Sequence, residues 1–409
     1  MNFTYRCCDC DKIIKDEGII YLCPDCAQEN SNTKYFRKGN LIVDLNVDYL
    51  KSLNNKENLS PFDFFPYPAV DVDSFPVGPT PLVKSKNLNK QVGLDNLIFK
   101  MESQLLSGSF KDRASQLVAF QAIKHNENRV TLASTGNAGA AMSSIGAAYN
   151  LNVILFVPES APIGKLMQSI LYGANVIPVK GSYDDAFELS LYYTKRFGGI
   201  NRNTGYNPMT VEGKKSVSIE LFLQLGKEMV DVIYVPVGDG CIYAGVCKGL
   251  FDLKVANMIN KIPKVVCVQS KQSNAISLAF KSGNYERVKP TTRADSISVG
   301  SPANGKMAVR YIHETESWTT EVDDKEILKS QFILAKEGAL FVEPAAASVW
   351  AAIEKDKNYL IKTFGKAVRV CGLLTGSGLK DMEVFKDKVK MPTPINNNTQ
   401  AVDTYFYES

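Results

Sequence analysis

Val130-Thr-Leu-Ala-Ser-Thr-Gly-Asn-Ala-Gly139 runs from an apolar, β-branched stretch into a glycine-bearing turn. The turn opens a run of small residues that ends before a second apolar stretch, Val153-Ile-Leu-Phe-Val157. Strand, turn, helix and strand within about thirty residues make the unit that joins two parallel strands. Working outward, the alternation recurs. Strand-like runs lie at Leu97–Met101, Val176–Val179, Val232–Val237, Val265–Gln269 and Val368–Leu374. Amphipathic stretches lie between them, at Ala114–His125, Lys165–Tyr172, Asp184–Phe197 and Glu212–Met229. This order predicts an α/β fold, two parallel-sheet subdomains flanked by helices. Unbroken Val/Ile/Leu strands suit sheets buried on both faces.

The chain has 409 residues, 45% hydrophobic and 22% charged, enough to bury a large core without disulfide staples. Lys and Arg number 47 against 43 Asp and Glu, and a formal charge of +4 is too balanced for a nucleic-acid binder. The N-terminus lacks the apolar core of a secretory signal. The least polar stretch, Ala133–Val157, carries Ser134, Asn137, Ser143, Ser144, Asn150 and Asn152, so no membrane span is expected. Cys241, Cys247, Cys267 and Cys371 stand singly in apolar surroundings, which suits a reducing, cytoplasmic setting.

Composition divides the chain. Residues 1–38 hold five of the nine cysteines, and 39–77 form a Pro-, Asn- and Phe-rich arm without period that includes the run from Ser60 to Pro68. The aromatic residues of that arm predict that it docks on the main body. Residues 78–390 carry the α/β alternation, with a smaller subdomain at about 110–210, and 391–409 form a polar tail. In the first module, Cys7-x-x-Cys10 and Cys23-x-x-Cys26 present four thiolates as two knuckles, the arrangement of a closed, structural zinc site. A four-ligand site leaves no open position for catalysis. The fifth thiol, Cys8, has no assigned part.

Ser107-Gly-Ser-Phe-Lys-Asp-Arg113 sits between a strand and a helix. Ser109 and Asp112 have capping-box spacing, which places the helix start near Phe110 and Lys111 in its first turn. There the positive helix end and Arg113 disfavour a charged ammonium. A lysine of lowered pKa is what imine formation with an aldehyde cofactor requires, although taken alone Lys111 reads as an ordinary surface lysine. The Ser134–Gly139 turn offers backbone N–H groups and hydroxyls to a carboxylate, or is simply a tight strand-to-helix turn. Val237-Gly-Asp-Gly-Cys-Ile242 repeats the arrangement with phosphate-binding character, with Asp239 an unfavourable neighbour for a dianion unless its side chain points away. Leu374-Thr-Gly-Ser-Gly-Leu-Lys380 adds hydroxyls at Thr375 and Ser377 that suit a pyridine nitrogen. All four lie at strand-to-helix turns, where α/β sheets bind ligands.

Taken together, these motifs resemble the threonine synthase-like branch of the pyridoxal-phosphate fold-type II (tryptophan synthase β-like) family. The likeness is collinear from Gly78 to Asp381 and adds Gly78-Pro-Thr-Pro-Leu82, Asn207-Pro through Glu212-Gly-Lys-Lys215, and Glu343-Pro-Ala-Ala-Ala347. The resemblance implies that Lys111 carries the cofactor as a Schiff base and acts as the catalytic base. It implies that Asn137 contacts the phenolic oxygen and that Gly238, Asp239, Gly240, Cys241 and Ile242 hold the phosphate. Thr375 would face the pyridine nitrogen, a neutral partner that favours elimination or replacement over transamination. Ser134, Thr135, Gly136 and Asn207 would bind the amino-acid substrate. A homodimer is implied as well.

Three departures bear on the substrate. Thr204 and Gly205 stand where threonine synthases carry an Asn-Ser pair, Gly238–Ile242 replaces a GN-x-GN loop, and Asp295–Pro302 replaces an Ile-Arg-Ile-Gly-Asn-Pro sequence. The expected activity is conversion of O-phosphohomoserine and water to threonine and phosphate. The alternatives are a threonine/serine ammonia-lyase or β-replacement enzyme of the same fold, and a zinc-ribbon interaction protein on a degenerate scaffold. With only His125 and His313 in the chain, a histidine triad lacks material. Glu343-Pro344 reads first as a helix start, with an active-site wall as the sharper alternative.

Overall fold

Thirteen strands form three sheets in the computed structural model, which describes residues 3–15, 18–31, 34–71, 75–385, 389 and 392–407. In chain order they are β1 (Phe3–Cys7), β2 (Ile13–Lys15), β3 (Leu41–Leu45), β4 (Leu82–Val83), β5 (Asn96–Lys100), β6 (Arg129–Ala133), β7 (Asn152–Pro158), β8 (Asn175–Val179), β9 (Ile200–Asn201), β10 (Val232–Pro236), β11 (Lys264–Ser270), β12 (Thr319–Val322) and β13 (Arg369–Leu373). The large sheet has the order β12-β11-β10-β13-β5-β4 and is parallel except for β4. The small sheet, β8-β7-β6-β9, is parallel throughout. The third, β2-β1-β3, is antiparallel and holds the cysteine module. The boundary expected at 390/391 falls outside the described residues.

Alternate residues of β10 explain why its sequence is apolar throughout. Ile233 and Val235 face a core shared with the small sheet, the arm and the module, through Val130, Leu155, Phe64 and Tyr5. Val232 and Tyr234 face the opposite core, with Trp350 of the helix Pro344–Phe364. Strands buried on both faces have no polar side to show. Phe64 and Phe65 of the arm are 0% exposed, and Phe62 and Phe65 stand edge-on to Phe120 at 6.3 and 6.4 Å. Burial of such a ring is worth about 1.5–3 kcal/mol, so the arm docks firmly.

Several elements depart from expectation. The arm is not element-free at its start: Leu41–Leu45 pairs antiparallel with β1, Tyr5 opposite Val43. The charge-rich stretch from Glu321 divides into the end of β12 and the helix Asp324–Gly338, where Asp323 and Glu326 form a reciprocal cap. The C-terminal tail contains an exposed helix, Thr399–Tyr407. Among the described residues no helix is long and apolar enough to cross a membrane.

Candidate active site

Lys111 is the first residue of the helix Lys111–Lys124, and the cap in front of it is not the expected one. Ser109 and Asp112 do not close a capping box. The Asp112 carboxylate turns back to accept from the Ser107 amide at 2.8 Å and from the Ser107 hydroxyl. Burial pushes Asp112 up to about 6 while these bonds oppose the rise. The loop is fixed instead by the hydroxyl turn across the cleft. Phe110 N donates to Thr375 O at 2.9 Å, and Ser377 N donates to Gly108 O at 3.0 Å.

Two residues after Lys111, Arg113 enters a buried network. Its guanidinium donates to Glu102 at 2.6 and 2.8 Å and to Glu220 at 2.9 Å, and Lys100 pairs with Glu220. Two cations meet two carboxylates, so the network is neutral. It locks the first turn of the lysine helix to β5 and to the helix Ser216–Leu225. A second neutral set lies close by: Lys215 pairs with Glu212 and Asp252, and Lys248 pairs with Asp252.

The Ser134–Asn137 turn opens the helix Asn137–Ala148. Ser134 Oγ accepts from the amides of Gly136 at 3.3 Å and Gly139 at 3.0 Å, so its oxygen shapes the turn while Gly136 and Asn137 line the cleft. Asn137 Nδ2 donates to Glu343 Oε2 at 2.9 Å and to Ser296 Oγ at 3.2 Å. Glu343 meets both of its readings: it is the N-cap residue before Pro344 and a wall of the cleft. Burial raises its pKa, against the bond from Asn137 and the charge of Lys111. The backbone closes tightly behind it, since a Cβ on Gly376 would overlap the Glu343 carboxyl.

Lys111 keeps some surface of its own, yet its amine is surrounded by protein. Burial lowers its pKa, Glu343 pulls the other way, and Arg202 reinforces the lowering. Gly238–Ile242 leads into the helix Cys241–Val255. A Cβ on Gly238 would come within 2.9 Å of Ile297 Cα, and one on Gly240 (φ +84°) within 2.7 Å of Asn304 O, so only glycine fits either place. Asp239 Oδ1 accepts from Ala303 N at 3.1 Å, and burial raises its pKa while that bond and the nearby charges of Lys111 and Lys214 oppose the rise. Cys241 donates to Asn304 Oδ1 at 2.7 Å, and burial pushes its thiol up to about 12.

A cleft of about 310 Å³ is lined by Gly136 and Asn137 of one turn and Lys380 of another, with Lys165, Ser296 and Glu343; Lys111, Thr375 and Gly238–Ile242 are not among its lining residues. Asn207 is not at its surface. Its Nδ2 donates to Gln121 Oε1 at 2.7 Å and Asn201 O at 2.8 Å, and its Oδ1 accepts from Met209 N at 2.9 Å. A fully spent, buried amide positions the chain and has nothing left for a substrate. The histidines stand apart from the cleft, with His125 beside Tyr67 and His313 against Phe280.

Sequence reading missed three cleft residues, Ser296, Lys165 and Lys380, and two cations behind it, Arg202 and Lys214. Lys380, Lys214 and Ser296 lie inside the segments Leu374–Lys380, Glu212–Lys215 and Asp295–Pro302, whose reading gives them no role, while Arg202 and Lys165 lie in no motif. Elsewhere, the Sγ atoms of Cys7, Cys10, Cys23 and Cys26 lie within 4.8 Å of one another, with Cys7 3.8 Å from Cys26 and Cys10 3.9 Å from Cys23.

A family model described as pyridoxal-phosphate dependent enzyme matches residues 74–376. The chain is 31% identical over 389 residues to a threonine synthase of Methanocaldococcus jannaschii, covering 92% of each chain. It is 29% identical over 413 residues to a threonine synthase of Methanosarcina acetivorans, covering 98% of each. Among solved structures, maize serine racemase superposes with a TM-score of 0.68 at 20% identity, over 84% of this chain and 96% of that one. The processed form of threonine deaminase isoform 2 from Solanum lycopersicum gives 0.68 at 19%, over 91% and 96%. Likeness at such identities speaks for the fold alone.

Proposed function

The chain belongs to the pyridoxal-phosphate dependent enzyme family, and from that premise we propose that this lyase is threonine synthase-like, converting O-phosphohomoserine and water to threonine and phosphate. One observation supports the reading: the residue before Lys111 donates to Thr375 O, and the Lys111 amine lies near Asp239 and Cys241 and near Glu343, the acceptor of Asn137 Nδ2.

The donor set fits the cofactor. Lys111 offers a desolvated amine for its aldehyde, the Gly238–Ile242 turn and the helix start at Cys241 offer backbone N–H groups for its phosphate, and Asn137 and Thr375 offer polar groups for its ring. When bound, the cofactor supplies an electron sink that stabilises negative charge at the substrate α-carbon. The chain's own residues do the rest. N–H groups of the Ser134–Gly136 turn orient the substrate carboxylate. Lys111 Nζ takes the α-proton, and its lowered pKa keeps more of it neutral for that task. Glu343, its pKa raised by burial, accepts from Asn137 Nδ2 and from Ser296 Oγ.

The four sulfurs suit structural zinc. A tetrahedron with Zn–S bonds of about 2.3 Å has edges of roughly 3.8 Å, close to the Cys7–Cys26 and Cys10–Cys23 separations.

Incubation with O-phosphohomoserine, following phosphate and threonine together, tests the activity. Equimolar release of both supports it. No turnover there, with 2-oxoacid and ammonia formed from threonine or serine, replaces it with the ammonia-lyase reading.

A further inference from the structure

Among the described residues, four buried charged side chains stand outside any ion pair: the carboxylates Asp112 and Glu343, and the cations Lys214 and Arg202. The Lys100–Glu102–Arg113–Glu220 and Glu212–Lys215–Lys248–Asp252 sets each pair two cations with two carboxylates. Lys214, next in sequence to one of these sets, is 0% exposed, and its Nζ has no hydrogen-bond partner. Arg202 is also 0% exposed. Its Nε donates to Ser115 Oγ at 3.3 Å and its Nη1 to Thr204 Oγ1 at 2.6 Å, while its Nη2 has no partner. An unpaired buried ammonium or guanidinium costs several kcal/mol, so two in one place call for an anion.

Both converge on the same spot. Lys214 packs against the helix Cys241–Val255 so closely that a Cβ on Gly245, one turn inside the helix, would come within 2.6 Å of Lys214 Cβ. The side chain rises from there toward the helix start. Cys241, the first residue of that helix, lies near both Lys214 and Arg202. Burial lowers Lys214 to about 7 and Arg202 to about 10, and neither makes an ion pair with the carboxylates nearby, Asp239 and Asp112. The carboxylate that could serve, Asp239, is turned to Ala303 N.

We propose that Lys214 Nζ and Arg202 Nη2, with the N–H groups that open the helix Cys241–Val255, form a charged pocket for a phosphoryl dianion, and that its occupant is the phosphate of the cofactor. The proposal rests on the cofactor reading above and adds to it: the dianion is neutralised by two side chains from the segments 202–204 and 213–215, not held by backbone N–H groups alone. A helix start attracts an anion weakly, whereas a charge-assisted bond in a dry pocket binds strongly. The same phosphoryl chemistry could come from a phosphorylated substrate.

The test titrates the apo-protein, in buffer free of phosphate and sulfate, with pyridoxal phosphate, with pyridoxal and with inorganic phosphate, by calorimetry and thermal unfolding. Lys214→Met should weaken pyridoxal phosphate tenfold or more and change pyridoxal less than about twofold. It should also abolish thermal protection by inorganic phosphate, and Lys214→Arg should restore it. Because the variant removes an unpaired buried charge, its apo form should melt no lower than wild-type apo-protein, which separates lost binding from failed folding. Should cofactor affinity hold while the KM for a phosphorylated substrate rises tenfold, the pocket stands and its occupant is the substrate. Equal weakening of pyridoxal and pyridoxal phosphate, or unchanged phosphate protection in both Lys214→Met and Arg202→Gln, overturns the pocket. If wild-type protein binds inorganic phosphate but no pyridoxal phosphate, the cofactor reading fails and the pocket does not.

Discussion

Lys165 Nζ lies 2.7 Å from Asp295 Oδ2 across the mouth of the cleft, and the pair joins a helix beside the small sheet to a loop beside the large one. Both ends are substantially exposed, at 31% and 60%, so the pair adds little to stability. Asp295→Ala should therefore shift the thermal midpoint by no more than about 2 °C. Because both residues line the cleft, steady-state kinetics of Asp295→Ala should show KM rising several-fold with a smaller change in kcat.

Lys111→Ala should lower turnover by about 10³-fold or more, the scale of a lost general base. It should also remove the visible absorbance of bound cofactor while far-ultraviolet circular dichroism stays unchanged. In wild-type protein the neutral amine is the working form and its pKa is lowered. The kcat/KM profile should rise with pH and level off below the ordinary lysine value of about 10.4.

Glu220→Gln leaves Lys100 and Arg113 facing one carboxylate where there were two. Breaking a buried network from one side costs about 3–5 kcal/mol, readable as a lower urea midpoint. Burial raises the Glu220 pKa, but Arg113 and Lys100 outweigh it and the net shift is downward. Its stabilisation is thus present above the unfolded value of about 4.3 and is lost as pH falls through the folded pKa. The acid limb of the wild-type stability curve should be the steeper of the two.

Gly205→Ser installs the serine typical of threonine synthases at this position and should destabilise this chain. Gly205 has φ +73°, and a Cβ there would overlap Ala303 Cβ and come within 2.7 Å of Asn304 Oδ1. A cost of about 1–3 kcal/mol is expected. Gly226, with φ +72° and ψ −159°, would have nothing within 4 Å of its Cβ, so Gly226→Ala should cost the backbone strain alone, about 1–3 kcal/mol.

Purified protein should carry about one zinc per chain, by atomic absorption, as a closed four-thiolate site requires. Cys10→Ser should reduce that content and lower the thermal midpoint. Cofactor absorbance should survive below the transition, because no cleft residue belongs to the cysteine set.

The sheets were legible because β7, β10 and β13 are short, largely apolar runs set between longer helical stretches. β3 was not, since Leu41-Ile-Val-Asp-Leu45 shows no alternation and gains its identity from pairing with β1. The lysine helix was placed within a residue, but Asp112 chose Ser107 over Ser109, a competition between two nearby serines that spacing does not decide. The turns that form the site could be read because glycines and hydroxyls cluster after strands. Arg202 could not, because a lone polar residue has no period, and Lys214 and Ser296 lie in motif segments whose spacing gives them no role of their own. Asn207 shows the converse: it lies within a recognisable motif, yet its amide is spent on Gln121 and Asn201.

The cysteine module touches both halves of the molecule. Asp9 and Asp11 pair with Lys306 and Arg310 beside the large sheet, each at 2.7 Å. The Tyr21 hydroxyl accepts from Asn201 N at 2.8 Å beside the small sheet, where Arg37 also lies over the Phe187 ring at 4.8 Å. A body clasped to two others removes their freedom to slide apart. The cysteine module thus ties the two sheets together on one side, and the Lys165–Asp295 pair ties them again at the cleft, so the same two bodies are joined twice.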